Sequence, residues 1–314
     1  MSHHHVPATP ETTRWGSFSA DFPPVLIVES GDSVTLECVS GGPDMLPDPS
    51  LGFTVHPALP QIHAANRARG SGVHILTGPV AVRGAEPGDT LEVRIERVEL
   101  GADWGFCAFR PLAGTLPEDF PRRLVSHIAI DQARHTGRLP WGGELPLAPF
   151  FGVMGTAPPA EYGAISTKEP REHGGNLDNK ELVEGSTLLL PVWTPGALFS
   201  AGDGHGVQGD GEVCINALET ALTGTFRLIL HKGARLRFPR AESPTHHITM
   251  GLNEDLDQAM KQAVREMIAL ICERSDLSPD QAYQFCSLAV DFHVTQTVNG
   301  EKGIHGMLRK GLLF

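Results

Sequence analysis

The chain has 314 residues and a formal net charge of −12 at pH 7, with 40% hydrophobic and 20% charged residues. These proportions are typical of a soluble globular protein that can bury a large core, as one domain or as two intimate ones. The negative charge argues against nucleic acid and against an anionic membrane surface as partners.

The cysteines indicate a reducing compartment. Their number is odd and no two of them have a short paired spacing, as their positions show: Cys38, Cys107, Cys214, Cys272 and Cys286. Free thiols of this kind are typical of proteins that form no disulfide framework. No apolar run approaches the length of a membrane span, and the N-terminus lacks an apolar signal core. We therefore predict a cytoplasmic protein.

Turn residues and alternating apolar residues predict the fold class. The chain contains 35 glycines and 25 prolines, which predicts many turns and short strands. A tight turn leads into an alternating strand pattern at Gly31-Asp32-Ser33, at Gly88-Asp89-Thr90 and, more loosely, at Gly185-Ser186-Thr187. Further strands are predicted at 149–155, 221–231 and 292–297. We predict a mainly β (α+β) protein with a β-sandwich or barrel-like core.

The pattern changes near residue 250. Asn253 can cap a helix, and an apolar stripe at helical spacing continues from there to Ile271. Ser278-Pro279-Asp280-Gln281 predicts a capping box that opens a second helix. We predict a β-rich catalytic region at 1–250, with a loop-rich insertion at about 41–78. A C-terminal α+β segment at 251–314 then packs its helical pair on the same core.

One glycine-rich segment, at 199–220, concentrates acidic and imidazole side chains and reads FSAGDGHGVQGDGEVCINALET. Asp203 and His205 are two residues apart, as are Asp210 and Glu212, so in extended backbone each pair projects from one face. Glu219 follows a short apolar run. Carboxylates and imidazole suit zinc and other divalent metals. A single Gly-Asp-Gly is typical of a plain turn, so a turn and a metal or catalytic site both remain open.

A second polar cluster, at 173–180, reads HGGNLDNK. Its glycines and asparagines are typical of a turn. If this segment formed the opposite wall of a site at 203–219, Asn176 would supply an amide, Asp178 a carboxylate and Lys180 an ammonium group. We expect the two segments to converge.

Four motifs stand out along the chain: FGVMG at 151–155, HGGNLD at 173–178, PVWTPGALFSAGDGHGVQGDGEVCINALE at 191–219 and GIHGMLRK at 303–310. With these motifs the chain resembles the acetamidase/formamidase family over almost its whole length. The resemblance implies a β-rich, oligomeric, metal-assisted enzyme that hydrolyses short aliphatic amides to carboxylate and ammonia.

One departure from the family pattern concerns the segment His74-Ile75-Leu76-Thr77-Gly78-Pro79. Ile75 stands where the family usually has proline, and the preceding loop, through Arg69, is longer than usual. Because this loop could border the pocket, the departure bears on the choice of substrate.

The chemistry of amide hydrolysis suggests a role for each candidate residue. Asp203, His205 and Glu219 are predicted to bind a divalent metal, zinc or alternatively calcium, with Asp178 as a further ligand or catalytic group. Glu212 is the predicted general base, and Asn176 or the glycine-rich backbone would hold the oxyanion. The predicted substrate contacts are His74, His173, Asp210 and Gly204.

Two alternatives stay open. Cys214 could be the nucleophile of a cysteine-dependent amidase together with Lys180, although its apolar neighbours Val213 and Ile215 favour a buried inert thiol. The chain could also be a β-sandwich module that binds a metal or a small ligand without catalysis.

Overall fold

The structure is a computed structural model that describes residues 1–65 and 70–314. Its strands, in chain order, are β1 (His3–Val6), β2 (Thr13–Trp15), β3 (Ser17–Phe18), β4 (Leu26–Val28), β5 (Ser33–Cys38), β6 (Ile75–Val82), β7 (Thr90–Leu100), β8 (Trp104–Phe109), β9 (Leu124–Asp131), β10 (Thr136–Arg138), β11 (Glu144–Pro146), β12 (Phe150–Gly155), β13 (Ile165–Ser166), β14 (Gly174–Asn176), β15 (Thr187–Pro191), β16 (Phe199–His205), β17 (Leu222–His231), β18 (Arg240–Glu242), β19 (His246–Asn253), β20 (Val290–Gln296) and β21 (Lys302–Arg309). The helices are α1 (Ala58–Ala65), α2 (Leu256–Arg274) and α3 (Pro279–Ala289), with short 3₁₀ turns at Pro43–Met45, Pro49–Leu51 and Ala160–Tyr162.

Two large sheets dominate the described part of the chain. The nine-stranded sheet has the order β1-β5-β17-β7-β15-β18-β19-β21-β20. The six-stranded sheet has the order β14-β12-β16-β6-β2, with β4 also paired to β6. Pairing is antiparallel except at β1–β5 and β4–β6. A four-stranded sheet, β11-β10-β9-β8, and the short pair β13-β3 complete the strand pairing. The predicted mainly β fold is confirmed.

The main core lies between the nine-stranded and six-stranded sheets. Val34 and Leu36 of β5 are buried while their neighbours are half-exposed, as the period-2 pattern predicts. Phe226 of β17 meets Phe151 of β12 and Phe199 of β16 edge to face, with ring centroids 5.2 and 5.5 Å apart. These rings join the two sheets, so the strands that carry the site rest on a rigid apolar layer.

The C-terminal helices pack on the nine-stranded sheet. The capping box at Ser278 and Gln281 is present and α3 begins at Pro279, as predicted. The first helix begins later than predicted, because Asp255 rather than Asn253 accepts the N–H of Gln258 at the N-cap. Strands β20 and β21 lie in the same sheet as β19, so the sheet continues across the predicted boundary between 1–250 and 251–314. That division of the chain stays a prediction.

The predicted loop at 41–78 contains more regular structure than its composition indicated. It includes α1, whose Leu59 and Ile62 are buried, and its last residues begin strand β6. Residues 66–69, which include the end of the lengthened loop at Arg69, lie outside the described residues. The helix was missed because its single apolar face is short and is stabilised by tertiary packing.

Candidate metal and catalytic site

Two adjacent strands form the centre of the site. Asp203 and His205 lie on β16, which pairs with β12 so that Phe150 is opposite His205 and Phe151 is opposite Gly204. A Cβ atom at Gly152 of β12 would lie 2.7 Å from Asp203 Oδ2 and 2.9 Å from His205 Cε1, and closer still to Asp178 Oδ1. Only glycine at position 152 leaves room for these three side chains.

Loops bring the remaining acidic groups to the same place. Asp178 lies two residues after β14 with φ 45°, and Glu212 has φ 43° in the turn after β16. Such left-handed conformations are costly for residues other than glycine and are often found at functional sites. Glu219 is positioned by isolated β-bridges to His205 and Phe106. The two predicted segments therefore converge.

His205 is the centre of the cluster. Its Nε2 atom lies 3.4 Å from Asp203 Oδ2, 3.4 Å from Glu219 Oε2 and 3.8 Å from Asp178 Oδ1. Glu212 belongs to the same group, since its carboxylate lies within 4.8 Å of the ligand atoms of His205 and Glu219. All five side chains are buried.

A glutamine orients the imidazole ring. Gln208 Nε2 donates to the carbonyl oxygen of Asp178 at 2.8 Å and more distantly to that of Thr295, so its Oε1 faces His205 Nδ1 at 3.0 Å. Because Oε1 can only accept, this network assigns the hydrogen of the neutral ring to Nδ1. The lone pair of Nε2 then points at the three carboxylates, which is the arrangement found in metal-ligating histidines.

Two asparagines orient the carboxylates in the same way. Asn299 Nδ2 donates to Asp178 Oδ2 at 2.6 Å, and Asn216 Nδ2 donates to Glu219 Oε1 at 2.9 Å. In each carboxylate one oxygen is held by an amide and the other is turned towards His205. Donors that hold the outer atoms of ligating groups in this way are typical of metal sites.

Three buried polar atoms in the cluster have no hydrogen-bond partner among the residues that the structure describes: Asp178 Oδ1, His205 Nε2 and Glu212 Oε2. Orphaned polar atoms are costly in a buried setting, and these three surround one point. All of them carry lone pairs that a cation can accept. The donor set of carboxylates and one imidazole fits a divalent metal.

The crowding of acids perturbs their pKa values. Burial and the negative charge of Asp178 raise the pKa of Glu212 well above its usual value. Burial likewise raises the pKa of Asp178 and of Glu219. Burial lowers the pKa of His205, but the carboxylates of Glu219 and Asp203 outweigh it and hold that pKa well above its usual value. The cluster therefore favours positive charge at its centre.

The acidic cluster forms the floor of a cavity of about 350 Å³. The polar floor contains Asn176, Asp178, Asp203, Glu212 and Glu219, whereas Trp15, Ile75 and Phe106 contribute to apolar walls. His74 also lines the cavity, with Nδ1 held by the carbonyl and hydroxyl of Thr167 and Nε2 3.6 Å from Asp203 Oδ2.

Asn176 offers the cavity an unpartnered acceptor. Its Nδ2 donates to the carbonyl oxygen of Lys168 at 3.1 Å, while its buried Oδ1 has no partner within residues 1–65 and 70–314. Since the Lys168 carbonyl can only accept, this orientation of the amide is the one its neighbours require. Asn176 therefore suits a ligand that brings an N–H donor.

Three of the residues predicted to contact the substrate are not among the described residues that line the cavity. His173 is buried behind β14 with its ring against Phe18, and burial lowers its pKa to about 3. Asp210 is partly exposed and pairs with Lys180 at 3.0 Å. Gly204 faces Thr220 and Leu222 on the other side of β16. The spacing argument for Asp210 and Glu212 was wrong because this stretch is a turn rather than a strand.

The site contains functional side chains that were not predicted. Gln208 lies three residues after His205, and Asn216 lies three residues before Glu219, so both are close in sequence to a residue they orient. Their position within the glycine-rich segment was the available signal. Asn299 lies more than a hundred residues from Asp178, and no spacing in the sequence links the two.

The surroundings of Cys214 differ from the predicted apolar strand. Its neighbour Val213 is 62% exposed, and the sulfur lies 3.5 Å from that of Cys107. Cys214 is not among the described residues that line the cavity, and Lys180 pairs with Asp210 instead. These contacts do not bring Cys214 and Lys180 together in the way that a cysteine-dependent amidase would require.

A β-sandwich with a buried carboxylate–imidazole centre below an open cavity is the structural class that these observations define. The chain belongs to the acetamidase/formamidase family, whose model matches residues 4–164 and 159–303. The predicted family resemblance is therefore confirmed.

Named relatives are similar in sequence and in structure. The crystal structure of an acetamidase from Bacillus halodurans matches with a TM-score of 0.84 and 32% identity, covering 97% of each chain. A formamidase of Methylophilus methylotrophus is 29% identical over 265 residues, covering 66% of this chain and 61% of that protein. An acetamidase of Mycolicibacterium smegmatis is 27% identical over 270 residues, with coverage of 66% and 62%. The chain thus spans about three fifths of the length of these two curated relatives.

Proposed function

We propose that the chain is an amidohydrolase that cleaves short linear aliphatic amides to carboxylate and ammonia. The observation that carries the proposal is the buried cluster of Asp178, Asp203, His205, Glu212 and Glu219 at the floor of a cavity. Relatives named formamidase and acetamidase support this class of substrate. Amide hydrolysis needs an activated water, a polarised carbonyl and a proton for the leaving nitrogen, and the cluster offers groups for each task.

We further propose that Asp178, Asp203, His205 and Glu219 hold a divalent cation, zinc or alternatively calcium. The support is the set of orphaned lone pairs and the amides that turn them inwards. A bound divalent cation lowers the pKa of its water to about 7 and polarises a carbonyl oxygen. The single imidazole among carboxylates suits zinc, whereas calcium would require additional oxygen ligands.

Glu212 is the proposed general base. Its Oε2 atom is buried and has no hydrogen-bond partner in the described part of the chain, and Glu212 is one of the residues that line the cavity. It would accept a proton from the attacking water and return it to the departing nitrogen. No described amide donates to Oε2, so this oxygen is not held by a fixed donor and faces the carboxylate of Asp178.

Asn176 is proposed to orient the substrate. Its free Oδ1 would accept one N–H of the primary amide, which fixes the direction of the scissile bond. This role replaces the predicted oxyanion contact, because Nδ2 already donates to Lys168. A secondary amide with bulk on nitrogen would lose this contact or clash with it.

The cavity bears on the length of the acyl chain. Its volume of about 350 Å³ lies near the lower end of the range typical of ligand pockets. Since one water occupies about 30 Å³ of liquid, an amide as small as acetamide would share the cavity with several waters. We propose that the apolar wall at Ile75 and Phe106 accepts acyl chains longer than acetyl.

An amide panel tests the activity. Purified protein is incubated with formamide, acetamide, propionamide and butyramide, and released ammonia is measured. Glu212→Gln is expected to abolish release while Glu161→Gln, which changes an exposed acid, keeps the wild-type rate. Absence of release from the whole panel would favour a non-catalytic binding module.

Metal removal is a separate test. Exhaustive chelation is expected to remove both activity and the divalent ion seen by elemental analysis, and one added divalent ion should restore the rate. Full activity in metal-free protein would refute the metal but not the amidase.

We also propose a homo-oligomer in the cytoplasm. Large apolar side chains are exposed on the four-stranded sheet and its turn, where Trp141 is 69% and Leu124 48% exposed, and subunit contacts would cover them. Light scattering after size exclusion tests the assembly. None of the helices in the described part of the chain combines the length and apolar character needed to cross a membrane.

A further inference from the structure

Two thiols from distant parts of the chain lie side by side next to the catalytic cluster. Cys107 is on β8 and Cys214 is in the turn after Glu212, yet their sulfur atoms are 3.5 Å apart. Both also approach the carbonyl oxygen of Asn216, at 3.7 Å and 3.5 Å. Both residues are only half-buried, so a small oxidant can reach them.

We propose that Cys107 and Cys214 form an oxidation site that closes to a disulfide and switches the active site off. A disulfide has a sulfur–sulfur distance of about 2.05 Å, so the two sulfurs need to approach by about 1.5 Å. The oxidant we assign is hydrogen peroxide. One thiol gives up its proton, and its thiolate attacks the O–O bond to give a sulfenic acid and hydroxide, which takes up that proton and leaves as water. The second thiol then displaces the sulfenic oxygen as another water. Two thiols thus lose two electrons and two protons to the peroxide.

The turn that carries Cys214 also carries catalytic groups. Glu212 precedes Cys214 by two residues, and Asn216, which holds Glu219 Oε1, follows it by two. Glu212 and Ile215 both have positive φ, at 43° and 84°, so the backbone between them is already tightly constrained. A displacement of Cys214 therefore also displaces Glu212 and Asn216, because the turn between them has little freedom to adjust.

Cys107, the other partner in the proposed disulfide, moves less easily than Cys214. Cys107 lies in β8, which pairs over its whole length with β9, and the adjacent Phe106 exchanges backbone hydrogen bonds with Glu219 at 2.9 and 2.8 Å. The turn therefore makes most of the movement. A displacement of about 1 Å at a catalytic group can lower a rate about 100-fold.

The other cysteines provide internal controls. Cys38 is buried, and its described sulfur contact is to the carbonyl oxygen of Ala201. Cys272 and Cys286 lie in the cluster of the C-terminal helices, remote in the fold from the cavity. They should remain alkylatable under conditions that oxidise the proposed pair.

Peptide mapping tests the bond itself. The full-length protein is treated with hydrogen peroxide, alkylated in urea so that the buried Cys38 and Cys286 can also react, and digested. We expect one cross-linked peptide pair that contains Cys107 and Cys214, with Cys38, Cys272 and Cys286 alkylated. Alkylation of both Cys107 and Cys214, a cross-link at another pair, or overoxidation of one thiol alone would overturn the site.

Activity tests the switch and rests on the proposed amidase function. Ammonia release is expected to fall about 100-fold in step with the cross-link and to return after dithiothreitol. Cys107→Ser should resist peroxide, whereas Cys272→Ser should respond like wild type. A cross-link that leaves the rate unchanged would overturn the switch.

The two proposals can fail separately. If the reduced protein releases no ammonia from any amide, the amidase function fails while the peptide map still decides the oxidation site. If Cys107→Ser does not fold, Cys107→Ala tests the switch in its place, and the peptide map of the wild-type protein still tests the disulfide.

Discussion

Gly152 allows the sharpest test of the proposed site. In Gly152→Ala the new methyl group would overlap Asp178 Oδ1, Asp203 Oδ2 and His205 Cε1, all at distances below 3.0 Å. These groups cannot withdraw easily, because Asn299 holds Asp178 and Gln208 holds the imidazole of His205. We expect overpacking to cost about 1–3 kcal/mol of unfolding free energy. We also expect displacement of the cluster by about 1 Å to lower kcat/KM about 100-fold.

The assay needs three measurements and one matched variant. Urea unfolding gives the free energy, elemental analysis gives the divalent metal content, and ammonia release gives kcat/KM. Gly209→Ala is the control, since a Cβ there would meet no described atom within 4 Å and φ does not fall in the left-handed region. The control should keep wild-type turnover and metal content. Wild-type turnover and metal content in Gly152→Ala would refute the convergence of ligands beside β12.

Other predictions concern orientation, acid stability and acyl selectivity. Gln208→Leu removes the acceptor that fixes His205 Nδ1, so metal affinity in a competition titration should fall about 10–100-fold, and unchanged affinity would contradict the assigned ring orientation. Burial raises the pKa of Asp89, but the Lys232 ammonium and backbone N–H groups outweigh it and hold the pKa below its usual value. Its carboxylate therefore stabilises the fold above about pH 4, and this contribution is lost as the pH falls through the lowered pKa. Urea unfolding between about pH 5 and pH 3 should accordingly show a shallower pH dependence in Asp89→Asn than in wild type, and equal slopes would count against the pairing. Ile75→Val should cost about 0.5–1.5 kcal/mol and raise the butyramide-to-acetamide ratio of kcat/KM, whereas an unchanged ratio would exclude this wall from substrate choice.

Local patterns in the sequence were sufficient for the parts of the protein that depend on neighbouring residues. The alternation of Val34 and Leu36 identified a half-buried strand, and Ser278 with Gln281 identified the start of a helix. Asp203 and His205 were correctly placed in one strand, β16, although Asp203 has φ 57° and is not in extended backbone. In the first two cases local backbone geometry alone identified the element.

Tertiary structure decided what the backbone period cannot specify. Asp210 and Glu212 have the same spacing as Asp203 and His205, but a turn with φ 43° at Glu212 sends one carboxylate to the surface and the other into the cluster. The pairing of Asn299 with Asp178 joins segments that only the assembled sheets bring together. The sequence by itself therefore determined the chemical groups of the site and the strands that carry them. Their orientation depended on tertiary packing, because Asn299 reaches Asp178 from the connection between β20 and β21, and Gln208, although close to His205 in sequence, is itself held by the carbonyl oxygen of Asp178.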